Sequence, residues 1–80
     1  MIAHSKPTLD SADAAAVSAV VASGQLACGP RTAEFEDNVA AYIGATAGVA
    51  FSSGSAALHA SLVALRIGPG DEVLLPSYVC

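Results

Sequence analysis

The chain has no tryptophan, few aromatic residues (5%) and only three basic side chains, Lys6, Arg31 and Arg66. Seven acidic residues bring the formal charge to -4, and the three cations are dispersed. A nucleic-acid surface needs a basic stripe to neutralise phosphates, so that class of partner is excluded. The two cysteines, Cys28 and Cys80, fit neither a disulfide framework nor a metal-ligand spacing. They read as reduced thiols, and no metal site is expected. The longest mostly apolar stretch, 12–22, is too short to cross a bilayer and is interrupted by Asp13 and Ser18. The start, Met1-Ile-Ala-His-Ser-Lys-Pro7, has no apolar core or small-residue cleavage site. A soluble, cytoplasmic protein without membrane contact is the expectation.

What the chain does have is alanine, within a 54% hydrophobic composition. Alanine-rich helices pack closely but contribute little buried area per residue. Eighty residues make at most one small domain. A first helix is predicted over 11–23, capped by Asp10 or Ser11, with Asp13 in its first turn and Gly24 as its stop. After a loop closed by Gly29-Pro30, a second helix covers 31–43 and ends at Gly44. Phe35, Val39, Tyr42 and Ile43 form its expected buried stripe.

A short β-prone run at 48–51 then leads into Ser52-Ser53-Gly54-Ser55 and a third helix over 55–66. In that helix Leu58, Leu62 and Leu65 recur at i, i+4 and i+7, and Gly68 is the expected stop. The turn Gly68-Pro69-Gly70-Asp71 introduces a second strand at 72–76. Strand, helix and strand with short loops read as a parallel βαβ crossover. Parallel strands end at one edge, which would put 52–55 and 77–80 on the same side of a sheet, where open α/β folds bind ligands. Two strands cannot complete a parallel sheet, so the chain is expected to be the N-terminal piece of a larger enzyme.

The Ser52–Ser55 stretch gathers backbone N–H groups, the positive end of a helix dipole and hydroxyls in one small volume suited to a phosphate. Gly54 would let an anion approach the backbone without a Cβ in the way. Taken alone, Ser53 or Ser55 as an ordinary helix cap is the simpler reading. Other polar residues have equally plain readings. His59 falls one turn beyond Ser55 and reads as a packed helix histidine, while Asp71 and Glu72 read as a solvated turn. Cys28 lies in a loop.

Seven pieces, in order, carry a resemblance. They are Ser5-Lys6-Pro7; Ser23-Gly24 with Gly29-Pro30; Glu34-Phe35-Glu36; Ala41-Tyr42-Ile43-Gly44; Ser53-Gly54-Ser55-Ala56-Ala57-Leu58-His59; Gly68-Pro69-Gly70-Asp71-Glu72-Val73; and Pro76-Ser77-Tyr78. Together they span nearly the whole chain. They resemble the N-terminus of the DegT/DnrJ/EryC1/StrS sugar aminotransferases, pyridoxal-phosphate enzymes of the aspartate aminotransferase superfamily, fold type I.

The resemblance implies an α/β fold. Residues 1–80 would be the N-terminal, incomplete part of a fold type I large domain in the order α-α-β-α-β, with a mostly parallel sheet in the complete protein. Residues 1–44 would be N-terminal helices and 45–80 the βαβ unit that holds the cofactor phosphate. It also turns the serine–glycine stretch from a mere cap into a cofactor site: Gly54 and Ser55 would donate backbone N–H groups to the phosphate of pyridoxal 5′-phosphate. The Ser55 hydroxyl, where the family more often has threonine, would add a third contact, with Ser53 a weaker candidate. The family's stacking aromatic ring falls on Cys80, where a thiol replaces it, and Tyr78 would point differently along an extended segment. Lys6 is the only lysine. The family's Schiff-base lysine and the acid beside the pyridine nitrogen lie beyond residue 80, so no catalytic residue is assigned and the chain is expected to be inactive alone.

By the same resemblance, the complete enzyme would move an amino group from an amino-acid donor to a nucleotide-linked keto-sugar, as a homodimer, for polysaccharide, surface-glycan or antibiotic-sugar synthesis. Two alternatives stand beside it: a sugar dehydratase of the same family using the same cofactor, and a non-catalytic phosphate-binding or structural fragment.

Overall fold

The computed structural model describes residues 2–79. They contain three helices, α1 (Ser11–Ser23), α2 (Pro30–Ile43) and α3 (Gly54–Ala64). The chain divides into two units, one up to Gly48 and one from Val49 onward.

In the first unit, α1 starts where the sequence places it. Asp10 is extended (φ -129°, ψ -174°) and its carboxylate accepts from the amides of Ala12 at 2.8 Å and Asp13 at 3.2 Å. Asp13 returns the contact, its Oδ2 accepting from the Asp10 amide at 2.9 Å. This reciprocal pair satisfies three donors and sets negative charge at the positive helix end. At the other end, Gly24 takes the left-handed conformation (φ 70°). There the Ser23 hydroxyl donates to the Val20 carbonyl at 2.7 Å and accepts from the Gln25 amide at 3.2 Å. It bridges a carbonyl and an amide that a direct backbone bond often joins at helix ends.

Helix α2 begins with Pro30 after an extended Gly29, and no side chain caps it. Proline suits this place because its missing N–H would have had no helical partner. Arg31 and Glu34 form an exposed ion pair at 2.8 Å, of the kind that contributes only a few tenths of a kcal/mol. The end is a Schellman turn: Gly44 sits at φ 72°, Ala45 donates to Ala40 at 2.8 Å, and Gly44 donates to Ala41 at 3.3 Å.

The chain then returns to α2. A Cβ on Gly48 would lie 2.7 Å from the Glu36 carbonyl oxygen, closer than real Cβ contacts come. The obstacle is helix backbone, which cannot rotate away. Gly48→Ala should therefore destabilise a folded protein carrying this segment by about 1–3 kcal/mol, as overpacking does. A lower urea midpoint at unchanged slope checks it.

In the second unit, α3 starts one residue before the predicted position and ends two residues before it, at Ala64. The residue that breaks it is Arg66, not Gly68. Arg66 has φ 58°, with its amide donating to Val63 at 2.9 Å and the Ile67 amide donating to Leu62 at 3.0 Å. That is again a Schellman pattern, with arginine in the left-handed place that glycine occupies most cheaply. Arg66→Gly should raise stability by about 0.5–1 kcal/mol, net of the extra freedom glycine gives the unfolded chain. Thermal melts of matched variants measure it.

The Gly68–Asp71 turn forms as expected. The Asp71 amide donates to the Gly68 carbonyl at 3.0 Å, and the Gly68 amide donates back to the Asp71 carboxylate at 2.8 Å. Gly70 at φ 94° follows Pro69, the arrangement of a type II turn. No strand forms among the described residues; 48–51 and 72–76 lie outside regular structure.

The packing differs from the sequence expectation. Of the proposed stripe on α2, Phe35 is 59% and Tyr42 91% exposed, and Val39 and Ile43 are exposed as well. The one buried hydrophobic residue among those described is Ala40. Helices α1 and α2 do not pack against each other. Apolar periodicity marks the face a helix can bury, but burial needs a second layer to cover it.

Candidate functional site

The three helix starts differ in what they leave open. At α1 two carboxylates already occupy the amides. At α2 the chain enters through Gly29-Pro30, and proline has no N–H to offer. At α3 there is no acidic residue in the first turn. Ser53 is extended (φ -157°, ψ 160°) and is the cap. Its Oγ accepts from the Ala56 amide at 3.1 Å, and its carbonyl accepts from the Ala57 amide at 3.1 Å. Gly54 and Ser55, the first two helical residues, have amides with no acceptor inside the helix.

Gly54 itself is informative. Its φ is not positive, unlike those of Gly24, Gly44 and Gly70. A Cβ there would meet nothing within 4 Å. Neither backbone conformation nor packing in the chain calls for glycine at this position. What its absent side chain leaves is open space beside two unclaimed amides at the positive end of a helix. Ser52, Ser53, Gly54 and Ser55 are all exposed. A compact anion fits this donor set, with the Ser55 hydroxyl beside it.

The structure thus gathers Ser53, Gly54 and Ser55 at one helix start and gives Ser53 a definite job. The cap reading and the anion reading are compatible, because a hydroxyl that accepts from Ala56 keeps its own proton to donate. Cys80, the fourth cofactor candidate, lies outside the described residues. His59 is exposed on α3, and Cys28 is an exposed free thiol. Lys6 is exposed in the first unit. The Asp71 carboxylate closes its own turn, as its plain reading required. No cluster of three or more histidine, cysteine, aspartate or glutamate side chains able to hold a metal occurs among the described residues. No helix of the described residues is long and apolar enough to cross a membrane.

The profile of the DegT/DnrJ/EryC1/StrS aminotransferase family matches residues 7–79. The chain belongs to this family. The match contains α1, α2, α3 and the whole Ser52–Ser55 turn. Among curated family members, the UDP-4-amino-4-deoxy-L-arabinose–oxoglutarate aminotransferase of Shewanella sediminis (strain HAW-EB3) is 43% identical over 72 residues. Those residues are 90% of this chain and 19% of that relative, so the chain spans about a fifth of the relative's length. No solved structure matches the chain.

Proposed function

We propose that this segment supplies the phosphate-binding turn of a pyridoxal-phosphate-dependent aminotransferase acting on a nucleotide-linked keto-sugar with an amino-acid donor. The observation that carries the reading is the unclaimed pair of amides at Gly54 and Ser55, beside a glycine that the chain itself does not need. The family match, the relative's name and the fit of the donor set to a phosphate dianion support it.

The turn's task is to bind and orient. Gly54 and Ser55 present their N–H groups to the phosphate, the Ser55 hydroxyl adds a third donor, and Ser53 holds the first turn so that these groups converge. Bound pyridoxal phosphate supplies the electron sink that amino transfer needs. Lys6 is the only lysine of these residues, and by the family resemblance the lysine that would hold the cofactor covalently comes from the rest of the enzyme. The proposal includes the fold: 48–51 and 72–76 become strands of a mostly parallel sheet in the fold type I large domain, where they are not neighbours and pair with strands supplied by the rest of the enzyme. It further includes a cytoplasmic homodimer as the working enzyme. The exposed apolar residues of α1 and α3, among them Val17, Val21, Leu58 and Val63, fit faces that the rest of a larger domain would cover.

A chimera tests it. Residues 7–79 replace the matching segment of the Shewanella relative, and pyridoxal phosphate is titrated by its near-visible absorption. Binding together with aminotransferase turnover is expected. A chimera that unfolds cooperatively yet binds no cofactor would overturn the reading.

A further inference from the structure

We draw no further inference here: the strongest candidate, the apolar groove along α1 lined by Ala16, Val17, Val20, Val21, Leu26 and Arg31, is an unpartnered face, and nothing in the structure shows what covers it.

Discussion

Replacing Gly54 with aspartate in the chimera should weaken pyridoxal phosphate binding by about 100-fold or more. Hydrogen bonds to a charged group contribute about 1.5–3 kcal/mol each, and about 1.4 kcal/mol is tenfold in affinity. Losing two such contacts reaches the hundredfold range, and a carboxylate facing a phosphate dianion adds repulsion. The substitution should leave the fold intact for reasons visible in the chain. Gly54 does not need a positive φ, its Cβ position is open, and an acidic residue in the first turn favours a helix. Lost affinity with an unchanged melting temperature of the cofactor-free chimera is the expected pair of results. Ser55→Ala should give a smaller loss of about tenfold, since it removes one donor and keeps both amides.

The 80-residue chain by itself should show no sharp unfolding transition. Domains ordinarily hold about 5–15 kcal/mol of net stability, drawn mainly from burying apolar side chains. Here Ala40 is the one buried hydrophobic residue described, and Ile2, Tyr42, Leu74 and Tyr78 are each more than 90% exposed. Caps and turns add about 1 kcal/mol each, too little to offset the entropy of ordering the chain. Helices of 11–14 residues are marginal in water without tertiary support. Circular dichroism against temperature should therefore give a shallow, nearly linear loss of helicity. A sigmoidal melt from a monomer would show that these residues bury a core that the structure does not contain.

Local signals were legible in the sequence, and signals that depend on other parts of a fold were not. Asp10, Gly24 and Gly44 mark helix ends by their own chemistry, so α1 lies where the pattern put it, and α2 differs only by including Pro30. The end of α3 was hidden because the left-handed position is taken by Arg66, a residue with no reputation as a helix stop. The stripe on α2 is a real amphipathic pattern, yet its burial depends on a layer absent from the described residues. At the site, the serine–glycine turn was readable as a helix start with free donors. That Ser53, and not Ser55, is the residue spent on capping emerged only from the hydrogen bonds.

The most direct measurement compares pyridoxal 5′-phosphate with pyridoxal, which lacks the phosphate, on the chimera and its Gly54→Asp variant. If amides at the start of α3 hold the phosphate, the variant loses about 100-fold in affinity for the phosphorylated compound, while its weak affinity for pyridoxal is unchanged. Equal losses for both compounds, or no loss for either, would contradict the account.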